Sequence, residues 1–281
     1  DPYGIHSFCF IFMRKPFALA VSDIDGTIAT IGEPISEANL AAIRKLQSHG
    51  IEFALASGRH HNNMRQYCDR ILGIEWLISS QGAWVSNLDK SVVLYEGYMS
   101  PKHVAALLEN GRIHNYSILV YTRDAIVTPH RDDWIEFYEG LANNRVVETP
   151  ASEIPNLHSY KMVWLEDEAR IQDAACIPLP SDELLGMQTQ PNLYEFMPLT
   201  TNKGYAVSVL AKHKGLDAEQ VITLGDAIND VSMLEWAGCG IAMGHGAQVA
   251  KDAARIVTPP ADPSEAFAAG IDLLFRTFNI P

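Results

Sequence analysis

Cysteine is scarce in this chain, with 4 among 281 residues: Cys9, Cys68, Cys176 and Cys239. None forms a C-x-x-C pair, so a redox dithiol or a metal knuckle is excluded. A chain of this length also buries enough apolar surface to fold without a disulfide framework. The expectation is four reduced thiols, buried or partly buried. Positive charge is short as well: 21 Lys and Arg against 34 Asp and Glu, a formal net charge of -13. General nucleic-acid binding needs a Lys/Arg surface facing phosphates, and that class is set aside. An anionic small molecule is not, because one bound cation can reverse the field at a single site. Long apolar runs are missing. HSFCFIFM (6–13) is too short to span a bilayer, and Arg14-Lys15 follow it, the wrong order for a secretory signal. A cytoplasmic chain with no membrane partner is therefore expected. Met13-Arg14-Lys15-Pro16 followed by a strand reads as a natural start, which makes residues 1–12 an upstream extension. Repeats and low-complexity segments are absent too.

What is present is a strand–helix alternation that is interrupted and then resumes. FALAVS (17–22), IEFALAS (51–57) and WLISS (76–80) are short continuous apolar runs of buried-strand type. Helical patterns lie between them, the first opened by Ser36 as N-cap and stopped at Gly50, the second over residues 60–72. This is the pattern of a parallel sheet covered by helices. After Gln81-Gly82-Ala83 the pattern changes to hairpin-like alternation (84–99 and 116–129) with helical stretches at 101–115 and 132–144. The first pattern resumes with LYEFM (193–197), a helix from Lys203 to His213, VITLG (221–225), GCGIAM (238–243), RIVT (255–258) and a last helix over about 263–278. The predicted fold is α/β: a Rossmann-like, doubly wound parallel-sheet core (1–83 and 193–281) with an inserted α+β cap (84–192).

The chemistry concentrates at strand ends. SDIDGT places Asp23 and Asp25 just past the first strand, where ligand sites of open α/β sheets lie. Gly26 permits a sharp turn there. A calcium loop is excluded: counted from Asp23, positions 6 and 12 are Ile28 and Pro34, not Gly and Glu. GDAIND places Asp226, Asn229 and Asp230 after another buried strand. One such Asp is an ordinary helix cap. Two acidic strand ends side by side need a cation, and an all-oxygen set suits Mg²⁺. Ser57-Gly58-Arg59 offers a hydroxyl and backbone N–H groups at a helix start, the makings of a phosphate cradle or of a plain cap. Lys203 opens a helix, where a positive charge is electrostatically misplaced. The pair His60-His61 and His130 are expected to be surface residues, and neighbours on a helix make poor co-ligands. Thr128 to Trp134 reads either as a substrate-selecting stretch or as a solvated loop capped by Asp132 or Asp133.

In this order DIDGT, ALASGR, SQGA, TTNKG, GDAIND and AMGHGAQVAKDAA resemble the haloacid dehalogenase superfamily, and within it the Cof-type sugar phosphatases, from about residue 17 onward. The resemblance implies a phosphatase of small phosphomonoesters: sugar phosphates, or phosphorylated cofactors such as flavin mononucleotide (FMN) or pyridoxal phosphate (PLP). Asp23 would be the nucleophile, forming an aspartyl-phosphate. Asp25 would be the acid and then the base, served by a raised pKa among neighbouring carboxylates. Asp23, the Asp25 carbonyl and Asp226 would hold Mg²⁺, supported by Asp230. Ser57, Gly58, Lys203 and Asn229 would hold the phosphoryl group. Gln81 and His245 stand where relatives commonly carry Asn, with an effect expected on substrate contacts or the rim. A phosphotransferase or mutase on the same site, or a silent phospho-ligand-binding module, are the alternatives. The chain would act as a monomer or small homo-oligomer.

Overall fold

The computed structural model describes residues 17–281; the proposed extension over 1–12, and Cys9 with it, lies outside the described residues. The strands are β1 Leu19–Ser22, β2 Glu52–Ala56, β3 Trp76–Ser79, β4 Trp84–Asn87, β5 Val93–Glu96, β6 Ser117–Thr122, β7 Ile126–Thr128, β8 Val146–Glu148, β9 Ser159–Leu165, β10 Leu184–Gln190, β11 Leu193–Pro198, β12 Val221–Gly225, β13 Cys239–Ala242 and β14 Ile256–Val257. They form two sheets. One is eight-stranded in the order β14-β13-β12-β1-β2-β3-β4-β5; the other is six-stranded in the order β10-β11-β9-β6-β7-β8.

The larger sheet is parallel from β14 to β3. Its strands are apolar on both faces because both faces are covered. Ala20, Phe53, Leu55, Ile222 and Leu224 pack under Leu40, Ile43 and Leu46 of the helix Glu37–Ser48 and under Phe267, Ile271 and Leu274 of the helix Pro263–Thr277. The alternate residues Leu19, Val21, Ala54, Ala56 and Val221 pack under Ala206, Val207 and Leu210 of the helix Lys203–His213. That is the doubly wound core expected. Ser36 accepts from the Asn39 N–H, the cap read from the sequence. Chain order runs outward from β1 through β2 to β3 on one side, while β12 lies on the other. β1 and β12 therefore flank the crevice where the strand order reverses.

Two boundaries differ from the sequence expectation. The hairpin β4–β5, placed in the cap by its alternating pattern, continues the core sheet, with β4 antiparallel to β3. LYEFM, placed in the core because it is short and apolar, is β11 and pairs with β10 and β9 in the smaller sheet. Periodicity reports burial, not the sheet in which a strand is buried. The central strand β9 escaped notice although all seven of its residues are buried.

The smaller sheet also has two covered faces. Ile118, Val120, Met162, Trp164 and Phe196 pack with Val104, Leu107 and Leu108 of the helix Pro101–Ile113. The opposite face carries Leu119 and Tyr121 of β6, Val163 and Leu165 of β9, and Leu193 of β11, under Ile135, Tyr138 and Ala142 of the helix Asp133–Ala142. By the period of two, Lys161 and Glu195 belong to this face. It is the face turned to the ends of β1 and β12. The cysteines divide: Cys68 and Cys239 are buried free thiols, whereas Cys176 is exposed, against expectation.

Candidate active site

Asp23 continues the β1–β12 pairing by one residue, its N–H donating to the Leu224 carbonyl at 2.9 Å. The chain then turns away through Gly26, whose φ is +84°. A Cβ there would lie 2.4 Å from an Asp226 carboxylate oxygen, so both backbone angle and space demand glycine. The turn brings the two acidic strand ends together. Asp23, Asp226 and Asp230 each place a carboxylate oxygen within 4.8 Å of the others. Thr27 Oγ1 donates to Asp226 at 3.1 Å.

Lys203 lies inside this cluster, fully buried, with Nζ 2.6 Å from both Asp23 and Asp230. Its place at a helix start is thereby explained: the helix is capped by Asn202, which accepts from the Tyr205 N–H, and the lysine answers the carboxylates. The second Asp230 oxygen accepts from the N–H groups of Asp226 and Ala227, which fixes the loop after β12. Burial is the strongest influence on Asp23 and pushes its carboxyl up; Lys203 opposes this, and Asp230, Asp226 and Asp25 add to it. Asp226 is pushed up to about 6, first by burial and then by Asp230.

Asp25 has a partner that was not anticipated: both of its carboxylate oxygens accept from the Arg59 guanidinium, at 2.7 and 2.6 Å. Arg59 stood in the SGR segment but was not singled out; it is the missing partner of Asp25. Ser57 is buried, its Oγ accepting from the Arg59 N–H at 3.2 Å. Ser57 and Gly58 line a cavity of about 220 Å³ together with Asp23, Asp25, Asp226 and Asn229.

The two unusual positions have definite contacts. Gln81 holds the left-handed conformation (φ +63°), is buried, donates to Glu195 at 3.0 Å and accepts from Asn229 at 2.8 Å. Glu195 also pairs with Lys161 at 2.8 Å, and Lys161 donates to the Gly58 carbonyl at 2.7 Å. A continuous chain of buried polar groups thus ties the smaller sheet to the Ser57–Gly58 loop. Lys161 and Glu195 were missed, though a charge inside an apolar strand (SYKMVWL, LYEFM) is a visible signal. His245 is exposed, and its Nε2 lies 2.7 Å from the Gly26 carbonyl on the DIDG turn.

The histidine expectation is corrected. His60 and His61 are buried, not superficial: His60 Nε2 meets the Thr122 carbonyl at 2.7 Å, and His61 lies against Trp84 and Ser86. Burial pulls both to about 4, so they are neutral joints, not acids or bases at neutral pH. His130 is exposed as expected. The stretch Thr128 to Trp134 is the loop and cap of its plainer reading: Asp132 accepts from the Ile135 N–H, Arg131 pairs with Glu139, and Trp134 donates to Glu166.

Carboxylates from two strand ends, a buried lysine and a second sheet thus meet around one cavity at the switch point. Residues 20–271 match the haloacid dehalogenase-like hydrolase family, and the chain belongs to it. It is 26% identical over 269 residues to phosphatase YwpJ of Bacillus subtilis, covering 85% of this chain and 94% of that one. It is 27% identical over 233 residues to the HMP-PP phosphatase of Cronobacter sakazakii, covering 81% and 84%. The solved structure of a haloacid dehalogenase-like hydrolase from Bacteroides thetaiotaomicron matches with a TM-score of 0.81 at 28% identity, over 92% of this chain and 100% of that one. Among the described residues no helix is long and apolar enough to cross a membrane.

Proposed function

We propose that this chain is a Mg²⁺-dependent phosphatase of small phosphomonoesters working through an aspartyl-phosphate. The observation that carries the reading is Asp23: a carboxylate at the end of β1 that lines the cavity, anchored on one side by Lys203, with a second acid two residues on. In the first step an Asp23 oxygen attacks phosphorus, the bond to the leaving oxygen breaks, and Asp25 gives that oxygen a proton. In the second, Asp25 takes a proton from water, which attacks phosphorus and returns Asp23 as a carboxylate. Asp25 is held by Arg59, so this pair has to open for Asp25 to carry the proton; an incoming phosphoryl dianion is an alternative acceptor for the guanidinium. Ser57, the Gly58 N–H and Lys203 hold phosphoryl oxygens, and Asn229, set by Gln81, borders them.

The donor set fits a hard divalent cation: oxygen ligands only, from Asp23, Asp226 and the Asp25 carbonyl, with Asp230 orienting the loop. When bound, Mg²⁺ offsets carboxylate–phosphate repulsion and polarises the phosphoryl group. Burial first, and the Asp230 carboxylate second, leave a proton favoured on Asp226 up to about pH 6. The cation must displace that proton, so its affinity falls with acid, and Asp23, whose carboxyl burial also pushes up, adds to the fall. Mg²⁺ titrations followed by thermal shift between about pH 5 and pH 8 check this, and a pH-independent affinity would count against the ligand set.

The direct test is phosphate release from sugar phosphates, FMN, PLP and an aryl phosphate, with Mg²⁺ and with chelator. Metal-dependent release is expected. Folded, metal-loaded protein that releases no phosphate from any ester would overturn the reading and favour transfer to an acceptor or binding alone.

A further inference from the structure

The cavity has two unlike ends. At the inner end the cationic side chains are already engaged: Arg59 by Asp25 and Lys161 by Glu195, with Lys203 buried behind Asp23 and paired to it and to Asp230. At the outer end the walls are apolar. The helix Asp133–Ala142 presents Phe137, Tyr138, Leu141 and Ala142, spaced i, i+1, i+4 and i+5 along one face. Phe137 and Leu141 remain 52% and 42% exposed although apolar, and Ile31 of the core, on the same cavity, is 48% exposed. A cluster of exposed apolar side chains at a cavity mouth marks a binding surface. The polar lining at this end comes from the end of β10 and the turn after it, Thr189, Gln190 and Asn192. Among the described residues Thr189 Oγ1 is buried without a hydrogen-bond partner.

From this we infer that Phe137, Leu141 and Thr189 select a leaving group consisting of one flat aromatic ring with a hydrogen-bonding edge, in preference to a sugar. The inference rests on the phosphatase reading for its inner end. A pyranose carries a hydroxyl on most of its carbons, and the apolar wall would bury several of them unpaired. A flat ring loses nothing against that wall and turns one polar edge to Gln190 and Asn192, where a rotation of the Thr189 side chain brings its buried, unpartnered hydroxyl to the ring. Size narrows the class further. About 220 Å³ is below the roughly 300–1,000 Å³ of sites for drug-sized ligands and holds a single ring with its phosphate.

The experiment has two independent readouts. Wild type, Phe137→Ala and Thr189→Val are compared by kcat/KM on pyridoxal 5′-phosphate, benzyl phosphate, glucose 6-phosphate and glycerol 3-phosphate. Calorimetry with Mg²⁺ compares benzylphosphonate with methylphosphonate, neither of which is hydrolysed. Wild type is expected to favour the ring esters over glucose 6-phosphate by about tenfold or more, the scale of one apolar contact. Phe137→Ala should shrink both that ratio and the benzyl-over-methyl binding ratio by about tenfold. Thr189→Val should lower pyridoxal 5′-phosphate relative to benzyl phosphate. Glucose 6-phosphate turned over as well as the ring esters, or Phe137→Ala lowering all esters alike, would overturn the inference while leaving the phosphatase reading in place. No turnover of any ester, with benzylphosphonate still bound selectively, would overturn the phosphatase and support the ring site. Equal binding of the two phosphonates to wild type would overturn the ring site whatever the turnover.

Discussion

Asp23→Asn is expected to lower phosphate release by about 10⁴-fold or more without weakening the fold, the scale at which losing a nucleophile registers. The side chain keeps its shape, and its carbonyl oxygen still accepts from Lys203, which retains Asp230 as its ionic partner. One of several crowded carboxylates is removed, and burial already disfavours its charge. The thermal midpoint of the metal-free variant should therefore equal or exceed that of wild type. Intact mass before and after assay guards against deamidation back to Asp. A variant retaining a tenth of wild-type turnover would mean that water, not Asp23, attacks phosphorus. Asp25→Asn separates the second role. A proton donor matters most for a poor leaving group, so the loss should be about 10²–10⁴-fold on an alkyl ester and markedly smaller on p-nitrophenyl phosphate.

Strand ends were legible in the sequence because two physical signals coincide there. An apolar run marks a buried strand, and an acid directly after it has no stabilising reason to be near the core. That reasoning located Asp23, Asp226 and Asp230, and the structure brings them together with Lys203. Sheet membership was not legible. LYEFM and WVSN carry the same local signal in either sheet, and only pairing partners far along the chain decide between them. The histidines failed for a related reason. His60 and His61 are polar in sequence but neutral when buried, and their partners, the Thr122 carbonyl and Ser86, lie 62 and 25 residues away. Arg59 was visible, yet its target was not, because the Asp25 pair spans 34 residues.

The same separation between local and long-range information explains the join between the sheets. Lys161 and Glu195 face each other diagonally across β9 and β11, and their charges are the reason those strands are not wholly apolar. Their pair reaches Gly58 on one side and Gln81 on the other. A cap built this way holds the core's Ser57–Gly58 loop through its own polar contacts, so the inserted segment completes the cavity rather than merely roofing it.

Lys203→Met is expected to be the most destabilising single change in the site, by about 3–5 kcal/mol, because it strands two buried carboxylates without their cation. For a chain of this size that is a fall of about 10 °C in thermal midpoint. The pH dependence identifies the cause. Without the lysine nothing opposes the burial that already pushes Asp23 up, so its folded-state pKa rises further above the unfolded value and the stranded charge is relieved by taking up a proton. Stability then falls as pH rises through that raised value, so the deficit is smaller near pH 5 than near pH 8. Mg²⁺ should restore part of the loss at the higher pH by supplying positive charge to Asp23 and Asp226. Adding Asp23→Asn to Lys203→Met should likewise recover part of it, since one stranded charge is gone, and the two changes would fail to add. If Lys203→Met melts where wild type does, at every pH and with or without Mg²⁺, the lysine is not the counter-charge that holds the acidic strand ends together.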